Sequence, residues 1–177
     1  MKGFTIALAS GAVMLAAPAA ASDKFWQTYA DIGAIGIPLA AGGYSLCESD
    51  RNGLLMLGET GLLTVASTEG LKYAVNERRP NGGNHSFPSG HTSLSFAGAG
   101  YLQARYGWKV GLPFELLAAT VGFARVKSHN HYWYDVVAGA AIGEGSAFLF
   151  TRRLNENTRI SAYGDTGGGG VQMALRF

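Results

Sequence analysis

The sequence is almost free of cysteine, since Cys47 is the only one in 177 residues. A single thiol forms no internal disulfide, so the fold must rest on a packed core, for which this length suffices. A catalytic thiol would need a histidine or a basic residue beside it, and the neighbours Ser45, Leu46 and Glu48 offer neither. We therefore predict a structural role for Cys47.

The chain also lacks a large excess of charge of either sign. The chain has 14 Lys and Arg against 12 Asp and Glu, a formal net charge of +2. Outside the segment 72–135, the basic residues form no run longer than the pair Arg152-Arg153. This composition excludes an extended basic patch, and we expect no nucleic-acid partner.

Long apolar runs without charge are also few. The first is at the N-terminus, where Lys2 precedes an apolar run (4–17) and the small residues 18–21, a pattern typical of a secretory signal cleaved before Ser22. An uncleaved membrane anchor is the alternative, but the run is short for one. We predict export to the periplasm and exclude residues 1–21 from the fold.

Apolar residues recur at helical spacing through residues 22–154, and Pro80 and Gly107 mark breaks in the pattern. The predicted helical segments are 23–31, 54–75, 92–105, 112–125 and 134–154, and residues 32–47 form a charge-free, Gly-rich apolar run that contains Pro38. The expected fold is therefore all-α, a compact helical bundle that forms one domain over residues 22–154.

The tail, residues 155–177, has a different pattern. Residues 159–163 and 171–177 alternate in polarity around the glycines 167–170, which predicts a short C-terminal β-hairpin. One hairpin cannot close a membrane barrel, which needs at least about eight strands. We expect the hairpin to pack against the bundle as an appendage.

Charged residues within the apolar helices bear on membrane insertion. Glu59, Glu69, Glu115 and Glu144 interrupt these helices, and charge buried in a bilayer is costly. We expect a soluble or peripherally attached domain, with insertion into the membrane as the alternative.

Lys72 and Arg79 lie near the end of one predicted helix, before Pro80, which disfavours helix in the residue that precedes it. They are seven positions apart, nearly two turns, so we expect both to project from one helix face. Two cations on one face of a helix could bind an anion such as phosphate. A solvated basic helix end is the alternative.

The segment Pro88-Ser89-Gly90-His91 precedes the next predicted helix. Ser89 is a typical N-cap, and Gly90 lets backbone N–H groups approach a ligand closely. A helix N-terminus attracts an anion such as phosphate, and His91 would lie at the mouth of that site. The alternative is an ordinary capped helix with a surface histidine.

Arg125, His131 and Asp135 form a third cluster. His131 and Asp135 are four residues apart, so we expect them on one helix face and within hydrogen-bonding reach. A carboxylate on one imidazole nitrogen fixes the tautomer and leaves the other nitrogen free to attack or to accept a proton. The guanidinium of Arg125 suits phosphate oxygens. The alternative is a His–Asp pair with a structural role.

All four histidines fall inside the segment 72–135, so a zinc site has to be weighed. His91, His129, His131 and Asp135 could ligate a metal. Against this, the same segment holds cations that oppose a metal and attract an anion. These cations are Lys72, Arg79, Arg125 and Lys127. We expect no metal, and we expect His85 and His129 at the surface or at the pocket rim.

The three clusters resemble, in order and in spacing, the signature of the type 2 phosphatidic acid phosphatase / vanadium haloperoxidase superfamily. They are Lys72-x6-Arg79-Pro80, Pro88-Ser89-Gly90-His91 and Arg125-x5-His131-x3-Asp135. The third motif usually begins Ser-Arg, whereas this chain has Ala124-Arg125. The difference removes one hydroxyl that could bond to phosphate.

The resemblance implies a metal-independent phosphatase that works through a phosphohistidine. His131 would be the nucleophile, oriented by Asp135, and His91 would protonate the leaving group. The phosphate oxygens would be held by a set of cations and by a helix start. This set is Lys72, Arg79, Ser89, Gly90 and Arg125. No cofactor is implied.

The expected substrate is a phosphate or pyrophosphate ester of a lipid, because residues 25–47 are apolar with aromatic flanks and the chain is predicted to be exported. A small soluble phosphate ester is the second choice. Two rival functions remain: a haloperoxidase that holds vanadate in the same pocket, and a non-enzymatic envelope protein with a vestigial site.

Overall fold

The structure, a computed structural model, describes residues 22–154, 158–165 and 168–175. The predicted secretory signal, residues 1–21, lies outside the described residues. Five α-helices follow one another along the chain: α1 (Asp23–Cys47), α2 (Arg51–Val75), α3 (Gly90–Tyr106), α4 (Trp108–Lys127) and α5 (Trp133–Phe150). The predicted all-α class is confirmed.

Several helix bounds differ from the predicted ones. The segments 23–31 and 32–47 form the single helix α1, which contains Pro38. Helix α4 begins directly after Gly107, whose φ of +90° ends α3, so Pro113 lies inside α4 instead of near its start. Helix α5 ends at Phe150, and Leu154 then donates its N–H to the carbonyl of Arg105 at 2.9 Å.

The thiol of Cys47 is free and exposed at the end of α1. The predicted structural role is therefore wrong in the sense of core packing, because the side chain is not buried among other residues.

Helix α3 is the centre of the bundle and contacts each of the other four helices. It lies especially close to α5, because α5 has glycine at the points of contact. A Cβ on Gly139 would stand 2.5 Å from the carbonyl oxygen of Ser89, and a Cβ on Gly143 would collide with the backbone of Ser93 and Ala97. Glycine thus sets the distance between the first turns of α3 and α5.

Helix α2 is inverted in polarity relative to a helix of a water-soluble bundle. Its buried side recurs every four residues and is polar: Thr60, Thr64, Thr68 and Lys72. Met56 and Leu57 pack against the core, but other apolar residues of α2 face outward, and Leu62 is 73% exposed. Soluble bundles bury the apolar stripe, so the outer surface of α2 is suited to an apolar environment.

The glutamates Glu115 and Glu144, which interrupt the apolar sequence of α4 and α5, do not project from the outer surface. Both are half-buried, and the carboxylate of Glu144 lies against Gly100 of α3. Burial, and then the contact with Glu144, raises the pKa of Glu115 above its ordinary value. These two glutamates therefore do not oppose contact of the outer surface with a membrane, in contrast to the expectation from the sequence.

By length and composition, one described helix, α1, is long and apolar enough to cross a membrane.

A buried ion pair fixes the end of the bundle where α2 begins. Arg105 of α3 donates from Nε and Nη2 to both carboxylate oxygens of Asp50, each at 2.7 Å. The hydroxyl of Tyr106 donates to the same carboxylate at 2.9 Å. Asp50 also caps α2 by accepting from the N–H of Gly53. The pair thereby ties the turn between α1 and α2 to the central helix.

After α5, the strands β1 (Thr158–Asp165) and β2 (Gly168–Leu175) pair antiparallel, with Thr158 opposite Leu175. No contact joins either strand to a helix within the described ranges. A two-stranded ribbon without packing is marginal in water. The predicted C-terminal β-hairpin is therefore not supported as a part of the folded domain, and its expected packing on the bundle is not observed among the described residues.

Glycine at the crossing of α3 and α5 gives a prediction about stability. We expect Gly139→Ala to lower the free energy of unfolding by about 1–3 kcal/mol, because the new methyl group meets backbone that cannot yield. Gly145 is the matched control: it lies on the same helix, and a Cβ there meets nothing within 4 Å. Gly145→Ala should leave stability unchanged or raise it by up to about 1 kcal/mol. Urea unfolding followed by circular dichroism measures both, and equal effects would contradict the packing argument.

Candidate active site

A cavity of about 460 Å³ opens at one end of the bundle, where α2 and α4 end and α3 and α5 begin. The predicted site residues that line it are Lys72, Arg79, Gly90, His91 and His131. The cavity is also lined by residues that were not predicted: Asp31, Ala34, Ile35, Glu69 and Leu94. Two helix N-termini near one hollow favour a bound anion, because both present free N–H groups and the positive end of the helix dipole.

Lys72 is buried in the last turn of α2 and is held by two carbonyls. Its Nζ donates to the oxygen of Pro88 at 2.7 Å and to that of His85 at 3.0 Å. Burial, and then the nearby charge of Arg79, lowers the pKa of Lys72. The two carbonyls leave one N–H of the ammonium group for a ligand in the cavity.

Arg79 reaches the cavity from a loop and not from a helix face. Helix α2 ends at Val75, and Asn76 follows in the left-handed conformation with φ 44°. The backbone N–H of Arg79 donates to the oxygen of Gly83 at 2.7 Å, and its Nε donates to the oxygen of Asn84 at 3.0 Å. The predicted shared helix face of Lys72 and Arg79 is therefore wrong, although both side chains line the same cavity.

Ser89 occupies the N-cap position of α3 as predicted, but its hydroxyl makes no capping bond. The hydroxyl is fully buried and lies 2.9 Å from that of Thr92. The backbone N–H of Ser89 donates to the oxygen of Asp135 at 3.0 Å. Ser89 therefore joins the start of α3 to the start of α5, and its side chain is not among those that line the cavity.

His131 and Asp135 contact each other as predicted, but they do not share a helix face. His131 precedes α5, whose N-cap is Tyr132, and Asp135 lies in the first turn. The Nδ1 atom of His131 lies 3.4 Å from Oδ2 of Asp135, which also accepts from the N–H of Tyr132 at 2.9 Å. The carboxylate thus bonds the helix start and the imidazole together.

Ser86 is a site residue that the sequence analysis missed. Its hydroxyl is fully buried and donates to Oδ2 of Asp135 at 2.5 Å. A buried carboxylate held by a hydroxyl, a backbone N–H and a ring nitrogen has one orientation. In the sequence, Ser86 is marked only by its position two residues before Pro88-Ser89-Gly90-His91. The motif itself does not include Ser86.

The imidazole of His131 is neutral over the whole physiological range. Its side chain is 1% exposed, and burial, followed by the charges of Arg125, Arg79 and Lys72, lowers its pKa to about 2. The contact with Asp135 favours the proton on Nδ1 and leaves Nε2 with a lone pair. The site therefore contains a neutral imidazole with a free ring nitrogen beside positive charge.

Arg125 is buried in the last turn of α4 without a close counter-ion. Its nearest carboxylate oxygen belongs to Asp31, 3.7 Å from Nη1, and its Nε has no hydrogen-bond partner among the described residues. Burial lowers its pKa to about 10, so the group still carries its charge at neutral pH. A buried guanidinium with unused donors is costly unless an anion completes it.

His91 lies in the first turn of α3 and contacts Asp31 of α1, a second residue that was missed. Its Nε2 is 2.7 Å from Oδ1 of Asp31. Burial and the charge of Arg125 lower the pKa of His91, and Asp31 opposes this shift. No motif in the sequence includes Asp31.

The other two histidines lie apart from the cavity lining. The Nδ1 of His85 is 2.9 Å from the carbonyl oxygen of Lys72, so His85 fixes the end of α2. His129 is exposed, with Nδ1 3.5 Å from Asp23. Within the described residues, no three His, Cys, Asp or Glu side chains are grouped as metal ligands. The zinc alternative therefore lacks a ligand set in this part of the chain.

Buried cations beside two histidines at helix starts define an all-α protein with a candidate anion site. The chain belongs to the PAP2 superfamily, whose family model matches residues 53–159. That match includes all eight residues predicted from the three motifs.

Similar proteins share this family. The chain is 34% identical over 129 residues to the lipid A 4'-phosphatase of Helicobacter pylori, covering 66% of this chain and 65% of the relative. It is 33% identical over 110 residues to a probable diacylglycerol pyrophosphate phosphatase of Schizosaccharomyces pombe, covering 54% of this chain and 38% of the relative. The chain thus spans less than two thirds of the length of these relatives.

A solved structure has the same fold. The crystal structure of Aquifex aeolicus LpxE matches with a TM-score of 0.62 at 22% identity, covering 72% of this chain and 83% of that one.

The bond between Ser86 and Asp135 gives a prediction about the site. We expect Ser86→Ala to lower the rate of phosphate-ester hydrolysis by about 10–100-fold, because a hydrogen bond to a charged group is worth about 1.5–3 kcal/mol. Ser146→Ala is the control: Ser146 is also buried, but it lies on α5 away from the cavity and bonds only to the oxygen of Ile142. Phosphate release measures both variants, and comparable losses would remove Ser86 from the site.

Proposed function

We propose that this chain is a phosphatase that hydrolyses phosphate or pyrophosphate esters of lipids through a phosphohistidine on His131. The observation that carries the proposal is the buried guanidinium of Arg125, which lacks a close counter-ion and lies beside a neutral imidazole. A phosphoryl group supplies both the anion that Arg125 needs and the electrophile that His131 can attack.

The first step forms the enzyme intermediate. The lone pair on Nε2 of His131 attacks phosphorus, the bond from phosphorus to the ester oxygen breaks, and His91 gives its proton to that oxygen. Asp135 holds Nδ1–H and stabilises the charge that the ring gains. Lys72, Arg79 and Arg125 offset the charge on the phosphoryl oxygens.

The second step restores the enzyme. His91, now neutral, takes a proton from water, and the resulting oxygen attacks the phosphorus of the phosphohistidine. The bond between phosphorus and Nε2 breaks, its electron pair returns to the ring, and phosphate leaves. Both histidines regain their starting protonation, and no metal is needed for the charge balance.

A lipid substrate is supported by the surroundings of the cavity and by the names of the relatives. Ala34 and Ile35 of α1 line the cavity, and Ile35 is also 64% exposed on the outer surface. An acyl chain could therefore lie along α1 while its phosphate enters the site. The relatives named above are phosphatases of lipid A and of diacylglycerol pyrophosphate.

The proposed location is the periplasmic side of a membrane, to which the bundle attaches through its apolar outer surface. The inverted polarity of α2 supports attachment, because Leu55 and Leu62 face outward while threonines face the bundle. Export itself rests on the signal pattern in residues 1–21.

Removal of the nucleophile tests the mechanism. We expect His131→Ala to lower phosphate release by at least about 10³-fold and to abolish an acid-labile phosphoryl label on the protein. His129→Ala is the matched control, since His129 is exposed and outside the cavity lining, and it should stay within about twofold of the parent. Unchanged release by His131→Ala would favour the envelope protein with a vestigial site.

A substrate panel tests the choice of ester. In mixed detergent micelles containing a chelator, phosphatidate or lipid A should be hydrolysed with a higher kcat/KM than a small soluble phosphate ester, because only lipids can use the apolar surface beside the cavity. Preference for the soluble ester would overturn the lipid assignment. Loss of activity with chelator would revive the zinc alternative, and bromide oxidation by peroxide with vanadate would support the haloperoxidase.

A further inference from the structure

We propose that Asp31 of α1 is a positioning residue that bonds Nε2 of His91, orients the ring and stabilises its protonated form, so that the proton on Nδ1 is the one that passes to the leaving group. The inference deepens the proposed function and rests on it. It adds to the site a residue from outside the matched region 53–159, so the three motifs do not contain it.

The geometry of Asp31 is specific to His91. Its Oδ1 lies 2.7 Å from Nε2 of His91 and 3.7 Å from Nη1 of Arg125. The shorter distance is that of a charge-assisted hydrogen bond, and the longer one is beyond hydrogen-bonding range. The carboxylate therefore bonds the imidazole and only weakly neutralises the guanidinium.

The electrostatic setting explains why His91 needs such a partner. Burial and two arginines act against its protonated form, while the hydrogen bond and the charge of Asp31 favour it. The charged and titratable groups that share the cavity or its border with His91 are Asp31, Glu69, Lys72, Arg79, Arg125 and His131. Of the two carboxylates among them, Asp31 is the one that contacts the ring. Without Asp31, the pKa of His91 would be lower still, and the ring would lose its proton too readily to act as a general acid.

A different role for Asp31 has to be separated from this one. Its carboxylate contacts two predicted phosphate-site groups, so it could act as a plug that a substrate phosphate displaces. A plug would compete with substrate, and its removal would lower KM. A positioning residue contributes to proton transfer, and its removal would lower kcat/KM for substrates with poor leaving groups.

The test compares Asp31→Asn with the parent on two esters of similar size, benzyl phosphate and 4-nitrophenyl phosphate. Benzyl alcohol needs a proton as it leaves, whereas nitrophenolate does not. We expect kcat/KM, which covers the steps up to release of the alcohol and excludes the later attack of water, to fall by about 10²-fold on the first ester and by less than about threefold on the second. Asp31→Glu should restore part of the loss, and Asp31→Asn in a His91→Ala background should add nothing to it.

Asp23→Asn is the matched control, because Asp23 lies on the same helix and pairs with the exposed His129. It should leave both rates unchanged. Equal losses on both esters, or a lower KM with unchanged kcat, would overturn the positioning role.

A second measurement does not depend on activity. Nitrogen NMR of the imidazole rings follows the titration of His91 in the parent and in Asp31→Asn, and the midpoint should move to lower pH in the variant. An unchanged midpoint would refute the inference even if the protein is a phosphatase. A lowered midpoint in a protein that hydrolyses neither these two esters nor phosphatidate or lipid A would keep the contact and reject the proposed function.

Discussion

The concentration of like charge around one small cavity is the constraint on which the rest of the site depends. Lys72, Arg79 and Arg125 repel one another, and burial of Lys72 and Arg125 makes that repulsion stronger. Backbone carbonyls offset part of the cost at Lys72 and Arg79, while Arg125 keeps unused donors. Burial, followed by the same charge, lowers the pKa of His131 and so keeps the ring unprotonated. One arrangement thus produces both a cluster of cations and a neutral imidazole beside it.

Tight packing of α3 against α5 holds the two halves of that arrangement together. The N–H of Ser89 donates to the oxygen of Asp135, and Gly139 lets the two backbones approach at this point. His91 lies two residues after Ser89, and His131 lies four residues before Asp135. A few ångströms of separation at the glycines would therefore change the distance between His91 and His131, and the proposed reaction is sensitive to shifts of this size.

The outer surface relates the site to its surroundings. Small polar residues of α2 face the bundle, and apolar residues of α1 and α2 face outward beside the cavity. This distribution is typical of helices that pack through small residues in contact with lipid. The half-buried glutamates Glu115 and Glu144 are consistent with an outer surface in contact with lipid, because neither is exposed on that surface. Burial also raises the pKa of Glu115, which favours its uncharged form.

The sequence by itself determined the all-α class and the identity of the motif residues, because helical periodicity and residue spacing are local properties. The sequence did not show that Arg79 lies in a loop or that His131 precedes α5. The end of one helix and the start of the next can shift by a few residues while the motif residues stay the same. The sequence analysis also missed Ser86 and Asp31, whose partners lie 49 and 60 residues away along the chain. Only the packing of helices brings residues so far apart in the chain together, so the contacts of Ser86 and Asp31 could be found only in the tertiary structure.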